Sequence, residues 1–107
     1  MSMPEFTKVA ETGEIPVGRM KQVVLDQERI VIANVAGSFF AFGGVCTHDD
    51  GPLIDGDLEG PIVTCPWHFS QFDVTTGQVV EPPAEESVRT YPVQVEGNSV
   101  YVSRNAD

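Results

Sequence analysis

Positive charge is scarce in this 107-residue chain: six Lys and Arg face sixteen Asp and Glu, for a formal charge of −10. Nucleic acids and anionic membrane surfaces are gripped through basic patches, so the composition argues against both as partners. A strongly acidic chain is instead steered toward partners with basic docking faces. Long apolar runs are also missing. Ile30-Val31-Ile32-Ala33 is among the longest, far short of the roughly 20 residues that span a bilayer. The opening Met1-Ser2-Met3-Pro4-Glu5 has no basic segment followed by an apolar one, so no secretory signal is visible and a cytoplasmic location is expected. Cysteine is limited to two residues, which allows one disulfide at most. Histidine is limited to two as well.

These scarce residues are not scattered. Cys46-Thr47-His48 is followed, after sixteen residues, by Cys65-Pro66-Trp67-His68, and the two motifs hold every Cys and His of the chain. Each motif is a mixed pair. Structural zinc sites more often pair Cys with Cys and His with His. Mixed pairs suit an asymmetric dinuclear centre, in which two thiolates hold one iron and two imidazoles the other. On extended loops, such short separations let both side chains of a pair reach one cluster. Two plainer readings stay open: buried, inert side chains, or a zinc ion on the same four residues, since zinc shares nitrogen and sulfur ligands.

The wider context carries a family likeness. C-T-H-D-D-G-P-L, then C-P-W-H-F-S-Q-F-D, then T-G and E-P-P-A, resembles the Rieske [2Fe–2S] proteins. The nearest branch is the small soluble ferredoxins of bacterial ring-hydroxylating dioxygenases, and the most specific part lies between Gly43 and Ala84. This resemblance implies one Rieske-type [2Fe–2S] cluster per chain. Cys46 and Cys65 would ligate the buried iron, and His48 and His68 the outer iron near solvent. It also implies that Pro82-Pro83 covers the cluster as a third wall. Trp67 stands where respiratory Rieske proteins place a disulfide cysteine, with Asp50 near the other half's position. High-potential members carry Ser and Tyr hydroxyls where Ser70 and Phe72 stand. Phe72 lacks that donor, which implies a midpoint near the lower end of the Rieske range, on the order of −150 mV.

The implied role is one-electron transfer from a flavin-containing ferredoxin reductase to a Rieske-type terminal oxygenase acting on aromatic rings. The implied alternatives are an accessory Rieske subunit of another oxidoreductase, such as a nitrite reductase, and a zinc-bound interaction module. Catalysis by the chain itself is not expected. A mononuclear oxygenase iron needs two His and a carboxylate, and the cluster would consume both histidines. No Cys or His would remain to activate a nucleophile. With both thiols on metal no disulfide is possible, in keeping with a reducing compartment.

Ten Gly and eight Pro indicate many turns and an all-β fold. The resemblance specifies a Rieske-type antiparallel sandwich or barrel. The chain reads as one domain, 1–107, with a small cluster-binding insertion at about 43–84. Alternation and β-branched content predict strands over 6–10, 20–25, 29–36, 39–42, 62–64, 71–74, 78–80, 87–95 and 99–103. Pro92 demotes part of 87–95 to an edge. Gly43 and Gly44 are expected to bring the backbone close to the cluster. No internal repeat and no long helix are evident.

Overall fold

The computed structural model describes residues 5–104. Residues 1–4, on which most of the signal-peptide reading falls, lie outside them. Eleven strands form three antiparallel sheets among the described residues. The first sheet has the order β1 (Thr7–Glu11), β11 (Ser99–Val102), β10 (Val93–Glu96). The second has the order β2 (Met20–Leu25), β3 (Glu28–Val35), β4 (Ser38–Gly43), β9 (Thr90–Tyr91). The third runs β5 (Asp57–Glu59), β6 (Ile62–Thr64), β7 (Gln71–Asp73), β8 (Val79–Glu81). Among the described residues, helical structure is confined to two single 3-10 turns, Thr12–Glu14 and Leu53–Asp55. The all-β expectation holds.

Strand β3 is the spine. Ile30, Val31, Ile32 and Ala33 are all fully buried, because apolar sheets cover both faces of this strand. Side chains of a strand alternate between faces. Ile30 and Ile32 pack with Val9, Ala10, Val100 and Val102 of the first sheet. Val31 and Ala33 pack with Val63, Phe72 and Leu53 on the other side, and both cysteines belong to that cluster. A strand buried on both faces reads as an unbroken apolar run, which explains the Ile30–Ala33 stretch. The third sheet therefore shares its apolar core with β3 and β4. Phe42 of β4, paired with Val31, sits fully buried at that shared core.

Two tight hairpins align these strands. Asp26 and Gln27 both have positive φ, 47° and 71°, as do Ala36 at 54° and Gly37 at 94°. Left-handed residues at both central positions match the twist of antiparallel strands. The sequence pattern places these turns at 26–28 and 37–38, so each expected turn runs one residue too far, into Glu28 and Ser38. Both residues already pair across the hairpin, with Leu25 and Val35 respectively. Pro92 does more than mark an edge. It cannot donate to a ladder, and the predicted strand 87–95 breaks there. Thr90–Tyr91 stays on β4, while Val93–Glu96 crosses to β11.

Phe42→Ala should cost about 3–5 kcal/mol, because it opens a cavity shared by the spine and the third sheet. Val24→Ala, at a side chain 60% exposed, should stay within about 0.5 kcal/mol. Urea unfolding of the two variants should show that contrast; equal losses would refute the shared core.

Candidate metal centre

Both motifs are built on the same backbone scaffold, residues 46–51 and 65–70. In the first, Cys46 N–H donates to the Gly51 carbonyl at 2.8 Å, and Asp50 N–H to the Cys46 carbonyl at 2.9 Å. In the second, Cys65 N–H donates to Ser70 at 2.8 Å, and Phe69 N–H to Cys65 at 3.1 Å. The residue four after each cysteine is left-handed, Asp50 at φ 61° and Phe69 at φ 67°. Flanking pairs close both loops, Val45 with Pro52 and Thr64 with Gln71. An internal repeat thus exists after all. It lies in the backbone, and the aligned loops share only their cysteine in sequence. The histidine falls two residues after Cys46 but three after Cys65, so Asp49 is the counterpart of His68.

The four residues singled out in sequence meet in one place. Cys46 and Cys65 are fully buried and not joined to each other in a disulfide. His48 is exposed, and the His68 side chain is 60% exposed. Their rings stand edge to face, with centroids 5.4 Å apart. Asp49 joins both pairs. Its carboxylate lies within 4.8 Å of both sulfurs in one set of donor atoms, and within 4.8 Å of both imidazoles in another. Oδ2 contacts His68 Nδ1, and Oδ1 accepts from Gly51 N–H at 3.1 Å. Asp49 was not among the residues expected in the site. The loop alignment, which places it opposite His68, was the available signal.

Burial pushes the Cys46 thiol above its ordinary pKa, against the pull of the His48 and Asp49 backbone N–H groups, which stabilise the thiolate. A bound cation would reverse that balance and deprotonate both sulfurs. Burial also opposes ionisation of Asp49, yet contacts from His68 and Gly51 outweigh it and hold this carboxyl below its usual range.

The surroundings fit a compact metal–sulfur group. At Gly51 a Cβ would stand 2.6 Å from Cys65 Sγ and 3.4 Å from the Trp67 ring. Gly43 and Gly44 do not have this role. Gly43 N–H donates to Arg89 and Gly44 N–H to Arg29, and a Cβ on Gly44 would meet Val31, Arg29 and Gln22. These glycines seat the loop on the second sheet; the close approach to sulfur belongs to Gly51. The segment carrying Pro82-Pro83 is tied to both loops. Thr47 Oγ1 donates to the Glu86 carbonyl at 2.6 Å, and Ala84 N–H donates to Ser70 Oγ at 2.9 Å. Pro83 lines a cleft beside His48. Ser70 points inward and is fully buried, as is Phe72, which brings no polar atom.

A three-sheet antiparallel fold with two buried thiols beneath two exposed imidazoles defines a small metalloprotein with an asymmetric sulfur–nitrogen site. The chain belongs to the Rieske [2Fe–2S] domain family, which matches residues 5–92. It is 41% identical over 98 residues to the biphenyl dioxygenase ferredoxin subunit of Pseudomonas sp. (strain KKS102), covering 91% of this chain and 90% of that protein. It is 36% identical over 89 residues to the ferredoxin component of the naphthalene 1,2-dioxygenase system of Pseudomonas aeruginosa, covering 83% and 86%. A chain in the solved complex of reduced oxygenase and oxidized ferredoxin in carbazole 1,9a-dioxygenase superposes with a TM-score of 0.91. That match has 26% identity and covers 95% of each chain. The resident cofactor is accordingly a Rieske-type [2Fe–2S] cluster, and the zinc alternative falls away.

Gly51→Ala should lower iron per chain severalfold on purification, because its methyl would collide with Cys65 Sγ. Gly60→Ala, where nothing lies within 4 Å but φ is +56°, should retain iron and cost on the order of 1 kcal/mol in backbone strain. Iron assay and thermal unfolding separate the two; full iron in Gly51→Ala would contradict the close approach.

Proposed function

We propose that Cys46 and Cys65 hold the inner iron of the cluster, that His48 and His68 hold the outer iron, and that the chain carries single electrons. The observation carrying this reading is the polarity of the site, with fully buried sulfurs at one end and exposed imidazoles at the other. When bound, the cluster supplies reversible one-electron redox chemistry. The chain's own residues do the rest. Buried cysteines keep water from the inner end, and backbone N–H groups of His48 and Asp49 donate toward the Cys46 sulfur. The proline segment closes one side, and the histidines present the site to a partner.

The donor is a flavin-containing ferredoxin reductase and the acceptor a Rieske-type terminal oxygenase of an aromatic ring-hydroxylating dioxygenase system. The names of the relatives above support this role. The chain works as one domain with its insertion at about 43–84, and performs no bond chemistry itself. Both of its histidines are committed to iron, which supports that view. No helix among the described residues is long and apolar enough to cross a membrane, and two cysteines held by a cluster leave none for a disulfide, as suits a reducing cytoplasm.

Cys46→Ser and Cys65→Ser should each lose the cluster and destabilise the chain, since bound metal contributes folding free energy. His48→Ala and His68→Ala should abolish the Rieske spectrum. Iron content with EPR before and after dithionite reads all four; wild-type values in any one would remove that residue from the ligand set.

Partners would meet the histidine tip, where Trp67 is 54% and Phe69 69% exposed and Asp50, Glu85 and Glu86 are exposed as well. Rim charges act mainly on association rate, and salt screens them. Electron transfer to the oxygenase should therefore slow severalfold between low and physiological ionic strength. Stopped-flow rates independent of salt would assign docking to Trp67 and Phe69 instead.

A further inference from the structure

We propose that a cleft between Arg29 and Arg89, on the flank of the first ligand loop, receives a carboxylate side chain of the terminal oxygenase when that protein docks at the histidine tip. The inference rests on the carrier role above and adds a contact that lies outside both metal motifs.

Charge singles the cleft out. The chain has six basic residues, and three of them are neutralised locally: Lys8 by Glu11, Lys21 by Glu14, and Arg104 by Asp26 and Glu28. Among the described residues, Arg19, Arg29 and Arg89 make no such ion pair. Two of these three line one cleft of about 460 Å³. Glu28, the carboxylate on its wall, is already held by Arg104 Nη1 at 2.7 Å. An unneutralised pair of guanidiniums is an exception on a chain of net charge −10.

The backbone brings the pair together. Gly43 N–H donates to the Arg89 carbonyl at 2.8 Å, and Gly44 N–H donates to the Arg29 carbonyl at 2.9 Å. Consecutive glycines thus bind one arginine each, just before the chain enters the first loop. Arg89 is held further. Its guanidinium lies 4.9 Å from the centre of the Tyr91 ring, and Nη2 donates to the Arg104 carbonyl at 2.7 Å. A fork fixed in this way loses less freedom on meeting a carboxylate. Thr47 lines this cleft and also the neighbouring one beside His48 and Pro83. A protein seated on the histidines therefore reaches the arginines as well.

Both arginines are exposed, and water competes strongly for a free anion at such a site. A carboxylate on a protein already docked differs, because it arrives at a high effective concentration. A chain of this fold occurs in a solved oxygenase–ferredoxin complex, which points to the oxygenase as that protein. Pairing a basic flank with an acidic rim also fixes the rotation of the partner about the tip, since charge complementarity sets register.

Net charge by itself predicts the opposite outcome. Removing a cation makes the chain more negative, which favours encounter with a basic partner. Arg29→Gln should instead slow association with the oxygenase roughly twofold to fivefold, the range of an exposed ion pair. Its Rieske EPR signal and midpoint should match the wild type. Arg19→Gln makes the same change of charge on a different cleft, lined by Ile54 and Leu58, and should not slow association. Arg29→Lys should preserve the rate. A carbodiimide should then join position 29 of that variant to an oxygenase carboxylate, read by mass spectrometry of the cross-linked peptide. Stopped-flow mixing at low ionic strength supplies the rates. Unchanged or faster association in Arg29→Gln, or a position 29 that forms no cross-link, would overturn the proposal. So would micromolar binding of inorganic phosphate that Arg29→Gln abolishes, since the cleft would then be a small-anion site. A wild-type chain that bears the cluster but never reduces the oxygenase would instead defeat the carrier role itself, before any variant is compared.

Discussion

Two thiol sulfurs buried side by side set the terms for the rest of this molecule. An unpaired charge in such a place is strongly disfavoured, and the Cys46 thiol is pushed toward its neutral form. Only a multivalent cation makes the pair favourable as thiolates. Much between Gly43 and Glu86 can be understood as meeting that requirement. Backbone amides are turned toward sulfur, Gly51 leaves room beside it, and the third sheet borrows its core from β3 and β4. A small inserted sheet has little apolar surface of its own, so sharing Val31, Ala33 and Phe42 lets it fold as part of a larger body.

The repeated loop explains how a short chain builds an asymmetric site. One scaffold, used twice, brings two sulfurs to the same depth. Shifting histidine from the second to the third position after cysteine then frees one place in the first loop, which Asp49 occupies. Near-symmetry of the backbone positions the donors, and its violation in sequence introduces a charge. The exposed acidic charges around the tip are screened by salt and steer encounters.

Much of this was legible in the residues. Strand positions followed from alternation and β-branched content, and β2 and β6 fell where the pattern placed them. The four metal-competent side chains stood out because the chain contains no other Cys or His. Errors fell at the ends of tight turns and where distant segments meet, and the short strand Asp57–Glu59 was not among those expected. Glu28 and Ser38 looked like turn residues because each follows a turn, yet cross-strand pairing claims them. Gly43 and Gly44 looked like cluster glycines because they precede Cys46, yet their neighbours are Arg29, Val31 and Arg89.

The sequence by itself determined the composition of the site, the order of its metal-competent residues, the all-β class and the net charge, because each depends on residue type and short spacing. Tertiary structure decided which glycine touches sulfur, which carboxylate enters the site, and how Pro92 hands the chain from one sheet to another. It also decided that β3 is covered on both faces. These are contacts between residues far apart in sequence, such as Asp49 with His68 and Gly51 with Cys65. Their partners are chosen by strand register and loop closure, and no local pattern of residues records that choice.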